Sequence, residues 1–529
     1  MKSSLVSFLL LFIHCNSSCK FIESKNNHSI ANTYSDTINA AIVAGSFIES
    51  SPISIDSLQI TLFFRAYTNL NPYQEEVFQF YRNRSFDLAW HDSLGKIEAF
   101  QILFNRVMQM EENGLTAQVP HLEDFKRFAN KEKNDSVEFV DVMQTAQYFH
   151  FAHRVLEGLP EKDLHELDWH IPKVKKNYTD LLDKFIAGEQ DAIEKSVYPQ
   201  YQLLRIGLIQ LRKIQQKGGW PIIPNIGYAV SEGKVNPIVP LIKRRLKLSG
   251  EWENNDSSES FTQDLTRVIQ LFQQNHGLLP DGIVGKSTVQ ALNISVEARI
   301  EQVMINMERC RWLPLSSDKN YVVVNIPAFL LQVMQGDSLI FSCEAIVGKE
   351  TNKTAIFKGM MKYIVFNPYW NIPDQILKKE ILPAIANQKD YLQVNHMEWV
   401  DGRLRQLPGP DNALGTIKFI FPNPFDIYLH DTPAKGLFRE QRRAFSHGCI
   451  RISASYQLAS YLLREQPGWS TEKMDEILST KKENYVKLEK EVPVYILYLT
   501  AFVDINGKLN YREDIYQKDD ALARLLIKN

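Results

Sequence analysis

Cys449 stands in the run Phe445-Ser446-His447-Gly448-Cys449-Ile450-Arg451-Ile452, with His430-Asp431 upstream. A thiol does acyl-transfer chemistry when it has a base, backbone donors for an oxyanion, and a cationic handle for an anionic substrate. This stretch offers each. Cys449 is the candidate nucleophile. His430, which ends the alternating segment Asp426-Ile427-Tyr428-Leu429, is the candidate base. The amides of Gly448 and Cys449 are placed to face one oxygen, since glycine lets the backbone turn sharply. Arg451 offers a planar guanidinium for a carboxylate, a better fit than lysine. His447 is the weaker candidate for base. In an extended segment it would lie about 6–7 Å from Cys449, beyond the roughly 2.6–3.2 Å a base must reach, unless the chain turns sharply at Gly448. It could instead line the oxyanion site or orient the pair. Ser453 reads as a helix cap, and Tyr456, Leu458, Ala459, Leu462 and Leu463 form an apolar stripe ending at Pro467-Gly468. The thiol would then lie just ahead of a helix N-terminus, which favours thiolate and a depressed pKa.

These residues sit in a stretch whose hydrophobic period is that of strands. Candidate strands are Tyr321–Ile326, Leu330–Met334, Leu339–Val347, Met361–Phe366, Ile417–Phe421 and Ile427–His430. Asp374–Asn387 reads helical. A loop-rich stretch at about 388–412 follows, with Trp399 either anchoring a lid or filling a core. Upstream, from about Ile60 to Gln216, the pattern is mainly helical, clearest at Ser136–Gly158 and Tyr201–Gln216, and Gly218-Gly219-Trp220-Pro221 stops the last helix. His150, His153 and His165 are spread among helical residues and read as structural. Phe261–Asn293 is a compact unit of two helices around the turn Pro280-Asp281-Gly282.

The remaining sequence bounds the setting. With 529 residues the chain has room for two to four domains. A net charge of −2 gives no reason to expect nucleic acid as a partner. Met1-Lys2 and the apolar run Leu5–Ile13 read as an export signal, too short for a dependable membrane span. Cys19 could carry a lipid anchor, although Asn16 stands where an aliphatic residue belongs. Setting Cys15 and Cys19 aside leaves Cys310, Cys343 and Cys449, an odd number, so at least one thiol is free.

Ser446-His447-Gly448-Cys449-Ile450-Arg451, preceded by His430, resembles the signature of the L,D-transpeptidase (YkuD-type) catalytic domain. Asn367-Pro368-Tyr369-Trp370-Asn371-Ile372-Pro373 resembles a further run of the large, multidomain members, and Val347-Gly348-Lys349 with Thr354 resembles the hairpin after the family's third strand. Phe272-Gln273, Asp281-Gly282, Gly285, Thr288 and Val289 resemble a type-1 peptidoglycan-binding module. Arg451 departs from the asparagine of many small members and points to the large subfamily.

The resemblance implies an α+β multidomain protein, with a mainly β catalytic domain, a helical scaffold and a small three-helix peptidoglycan-binding-like module. The segments would be a signal peptide at 1–19, a tether at 20–55, the scaffold at 56–255 and the module at 256–296. The catalytic domain would span 297–485 with a lid insertion at about 383–415, and a C-terminal segment at 486–529 would pack on the scaffold. It implies an exported enzyme of the periplasm or cell envelope, with lipid or membrane anchoring at its N-terminus left open, that forms 3→3 crosslinks through a cysteine thioester. Donor and acceptor would be peptidoglycan stem tetrapeptides, with no cofactor and no metal. Asp431 would orient His430 through its backbone carbonyl, and Arg451, Tyr428, Trp370, Asn367 and Ser446 would bind substrate. The alternatives are an L,D-carboxypeptidase that trims stem tetrapeptides and a non-catalytic wall-binding protein. Intact Cys449 and His430 argue against the last.

Overall fold

The structure, a computed structural model, describes residues 54–526 except 117, 131–134, 226, 315–319 and 337. The signal peptide with Cys15 and Cys19, and the tether as far as residue 53, lie outside the described residues. Among the described residues no helix is long and apolar enough to cross a membrane.

A ten-stranded sheet carries the candidate site. Its strands are β1 (Asn320–Asn325), β2 (Leu330–Gln335), β3 (Ser338–Gly348), β4 (Ile356–Phe366), β5 (Ile417–Ile420), β6 (Leu429–His430), β7 (Ala444–Ser446), β8 (Ile450–Ile452) and β9 (Asn484–Leu497). The short strand Trp169–His170 is the tenth. The spatial order runs β5-β6-β8-β3-β2-β1-β9-β4, and β5 pairs with β4 again, so the sheet closes on itself. Closure removes exposed edges, which otherwise invite aberrant pairing. Val322, Val324, Leu331, Val333, Ile364, Phe366, Ile417, Phe419, Leu429, Ile450 and Ile452 fill the inside, each 1% exposed or less. The expected strands are present, and β4 begins five residues earlier than its apolar run suggested, at Ile356.

The helical part is built on α1 (Val137–Glu157), buried on almost every side. Its one buried carboxylate, Asp141, accepts from the amides of Ala89 and Trp90 at 2.9 Å each and from Tyr81 Oη at 2.6 Å. A carboxylate this deep persists only with such partners. Two histidines also serve structure: Tyr73 Oη lies 3.2 Å from His150 Nδ1, and Glu76 Oε2 lies 2.8 Å from His153 Nε2. This helical body shares one continuous core with the sheet. Arg311, at the end of the helix Val296–Arg311, donates Nε to Val155 O at 3.0 Å, and Trp169 meets Trp312 edge to face. The side-chain amide of Gln200 bonds both Val503 O (2.9 Å) and Val503 N (2.8 Å) on the C-terminal hairpin Ala501–Val503 and Leu509–Tyr511.

Residues 223–292 enclose a separate small core that includes Trp252, Phe261, Leu265, Ile269, Phe272 and Leu292. It contains α2 (Val239–Leu248), α3 (Gln263–Asn275) and α4 (Lys286–Leu292). The turn after α3 docks on the C-terminal hairpin and on the loop before β7. Arg512 donates to Asn275 O at 2.8 Å, and Gln441 to Gly277 O at 3.1 Å. A third cluster, of Ile372, Ile381 and Leu404 with Trp370 and Met397 against it, joins the insertion to the residues just before it. The stretch read as loop-rich is more ordered than that. It holds the short helix Tyr391–Val394 and a hairpin of Met397–Val400 with Arg403–Gln406, on which Trp399 is 47% exposed.

Candidate active site

Parallel pairing of β6 with β8 assembles the site. Leu429 lies opposite Ile450, His430 lies opposite Arg451, and Ile450 N donates to Tyr428 O at 3.1 Å. Side chains alternate along a strand, so Tyr428, His430, Cys449 and Arg451 share one face. On the far side of β6, antiparallel β5 sets Lys418 opposite His430, on that same face. Lys418 Nζ lies 3.8 Å from the centre of the Tyr428 ring, a cation–π contact.

His430 is buried, and its Nδ1 is 2.5 Å from the carbonyl oxygen of Asp431. A carbonyl only accepts, so Nδ1 carries the proton and Nε2 presents a lone pair. Burial, then the charge of Arg451, pushes the imidazole pKa down to about 3. The neutral base form is therefore the resting form. The Asp431 side chain is engaged elsewhere. It accepts from Thr416 N at 3.1 Å and Thr416 Oγ1 at 3.2 Å, and it pairs with Lys435.

Cys449 is half-buried and donates Sγ–H to Asp426 O at 3.6 Å. Among the described residues no hydrogen bond joins it to His430, as is common before substrate arrives. Burial pushes its thiol pKa up, against the opposing pull of Tyr428 and the Lys418 charge. The depressed pKa expected from a helix terminus is thus reversed. The helix Ser455–Leu463 starts at Ala454, which makes no side-chain cap bond. Ser453 is held by Glu344 instead, accepting from its amide at 3.1 Å and donating to its Oε2 at 2.6 Å. Burial is the largest influence on the thiol and outweighs the lowering pull of Tyr428 and Lys418.

Gly448 has φ +118°, which only glycine adopts without strain, although a Cβ there would meet no atom closer than 3.8 Å. Its carbonyl accepts from Thr354 Oγ1 at 2.8 Å, and Thr354 Oγ1 accepts from Gly348 N at 2.9 Å. Ser446 Oγ spans the same turn, donating to Cys449 O at 2.5 Å and accepting from Gly448 N at 3.2 Å. Ser446 therefore shapes the turn, and in this state the Gly448 amide faces Ser446 rather than open space. Thr354→Val should leave the Gly348 amide buried without a partner, costing about 1–3 kcal/mol. It should also slow Cys449 alkylation, because the turn loses its outer tie. A melting curve and an alkylation rate check both.

The other assigned residues fall apart from this group. His447 is exposed, and its Nε2 lies 2.7 Å from Glu380 Oε1 on the π-helical turn Leu377–Ile381, just before the insertion. Asn367, at φ +48°, donates its side-chain amide to Ile477 O (3.0 Å) and Leu478 O (3.2 Å). That amide braces a helix end, so the substrate role expected of Asn367 is replaced by a structural one. Trp370 packs on the small core of the insertion. Two residues went unread in the sequence. Lys418 had a signal, as the lone charge in the apolar strand Ile417–Ile420. Glu380 had none, because it is an ordinary helical glutamate until the fold brings it to His447.

Against known proteins, residues 319–487 match the L,D-transpeptidase catalytic domain of the YkuD family. Residues 75–208 match the scaffold domain, and residues 236–292 match a candidate peptidoglycan-binding domain. Residues 319–487 thus carry a catalytic domain of the L,D-transpeptidase (YkuD) type, with a scaffold match and a module match ahead of it. A Haemophilus influenzae protein named as a candidate L,D-transpeptidase is 32% identical over 288 residues, which is 50% of this chain and 56% of that relative. The chain thus spans about half the length of the curated relative it matches. An L,D-transpeptidase structure from Xylanimonas cellulosilytica aligns at TM-score 0.18 and 13% identity, over 52% of this chain and 100% of that one. One from Stackebrandtia nassauensis aligns at TM-score 0.23 and 14% identity, over 51% and 94%. Overlap at that level carries no argument about chemistry. The α+β class and the mainly β catalytic domain hold as the sequence implied.

Proposed function

We propose that this chain is a cell-wall L,D-transpeptidase, exported to the cell envelope, that crosslinks peptidoglycan stems through a thioester on Cys449. The observation that carries the reading is the Asp431 carbonyl on His430 Nδ1, which leaves the Nε2 lone pair to accept a proton on the sheet face shared with Cys449. The donor is a stem tetrapeptide, with the carbonyl of its third residue against Sγ. His430 Nε2 takes the thiol proton as sulfur attacks, and the resulting imidazolium returns it to the departing terminal D-alanine. The amine of a neighbouring stem then attacks the thioester, gives its proton to His430, and releases the Cys449 thiol with the new amide formed. Lys418 and Arg451 supply positive charge at this face, for a stem carboxylate and for the transient thiolate. The matched module at 236–292 supports peptidoglycan as the substrate class.

The test is mass spectrometry of the products made by purified protein from disaccharide tetrapeptides. Crosslinked dimers joined at the third residues support the proposal. Tripeptide alone would assign an L,D-carboxypeptidase, with water resolving the thioester, and unchanged substrate would leave a wall-binding protein.

A further inference from the structure

Away from the catalytic face, a cleft of about 350 Å³ opens between the long helix Gln200–Gln216 and α2. Lys213, Lys217, Arg244 and Lys247 line it, with Ile214 and Leu248 between them. Lys213 and Lys217 are neighbours one helical turn apart, as are Arg244 and Lys247, so each pair repels. All four are exposed, and among the described residues none enters an ion pair. Lys247 has one polar partner, Asn255 Oδ1. Carboxylates that touch these two helices have other partners: Glu111 pairs with Arg212 at 2.8 Å, Asp256 with Lys243 at 2.6 Å, Glu251 accepts from Ser249, and Glu297 accepts from Gln215 at 3.4 Å. Cations at helix C-termini do answer the dipole. That need is met along each helix end and gives no reason to ring a cleft with four of them from two elements. In a chain of net charge −2 this concentration is local.

We propose that this cleft binds a multiply charged phosphate group, as a diphosphate or a phosphate ester whose apolar part lies on Ile214 and Leu248. A carboxylate is matched by a single guanidinium fork, whereas three lysine point charges around a volume suit a compact group of higher charge. The volume lies within the range of small-ligand pockets, about 300–1,000 Å³. The group could belong to a free phosphate compound or to a lipid head, and the experiment separates these.

The full chain is titrated calorimetrically with inorganic pyrophosphate and floated with phosphatidylglycerol or phosphatidylcholine vesicles. Wild type is compared with Lys213→Gln/Arg244→Gln and with the charge-preserving Lys213→Arg. Expected is saturable binding of one anion per chain, weakened about fivefold for each charge removed and retained in Lys213→Arg. Pyrophosphate binding without vesicle binding assigns a free phosphate compound. Binding to the anionic vesicles alone, lost in the double variant, assigns a lipid head. Neither probe binding, or binding equal in wild type and double variant, overturns the proposal. So does a stem tetrapeptide that binds here, is lost in the double variant, and finds no counterpart in pyrophosphate. None of these outcomes depends on crosslinking activity.

Discussion

Cys449→Ala is expected to form no crosslink and to take no covalent label from a carbapenem, while folding as the wild type does. The other two described cysteines offer no substitute. Cys310 and Cys343 are buried, and burial pushes the Cys310 thiol up to about 12. A thiol held that far from ionisation and from solvent neither attacks nor is attacked. The substitution removes one sulfur and its long contact to Asp426 O at 3.6 Å. The melting transition should therefore stay within about 1 kcal/mol of wild type. Intact-protein mass spectrometry reads the label: one carbapenem adduct on the wild type and none on the variant. Dimer formation at a normal rate by Cys449→Ala would remove Cys449 from the mechanism.

What the sequence made legible here was whatever rests on period and on local motif. Alternation along Ile427-Tyr428-Leu429-His430 sets Tyr428 and His430 on one face before any fold is known, and the strands flanking Cys449 follow the same rule. That His430 lies beside Cys449 required pairing of β6 with β8, which alternation permits but does not dictate. The side chains misread around the site share one cause. Each depended on a partner far along the chain. Ser453 has the residue type of a helix cap, but Glu344, 109 positions away, captures it. Asn367 has the type of a substrate contact, but the carbonyls of Ile477 and Leu478 take its amide. The direction of the Cys449 shift is likewise set by packing. A helix terminus is readable from sequence; the burial that raises the thiol pKa is not.

His430→Gln is expected to cut turnover by about 10²–10⁴, the usual loss of a general base, and to change how the reaction depends on pH. A pair already ionised at rest would give a thiolate at neutral pH and an alkylation midpoint well below that of an ordinary thiol. Here burial opposes charge on both partners, pushing the Cys449 thiol up and His430 down to about 3. The resting pair is neutral, and the proton moves only when substrate is attacked. Alkylation of Cys449 in the wild type should therefore show its midpoint above the free-thiol value of about 8.5. His447→Gln should leave that midpoint unchanged, since its Nε2 is held by Glu380. In the same experiment the acid limb of kcat/KM should lie far below the ordinary histidine pKa of about 6.5, because His430 stays in its base form. The same shift is a statement about stability. A histidine whose folded pKa lies below its unfolded value stabilises the fold fully above about pH 6.5, and loses that contribution as pH falls toward the folded value. His430→Gln, which takes up no proton in either state, should lose less stability over that interval than wild type does. A wild-type alkylation midpoint below neutrality, restored to the ordinary thiol value by His430→Gln, would establish a thiolate–imidazolium pair and overturn the neutral one.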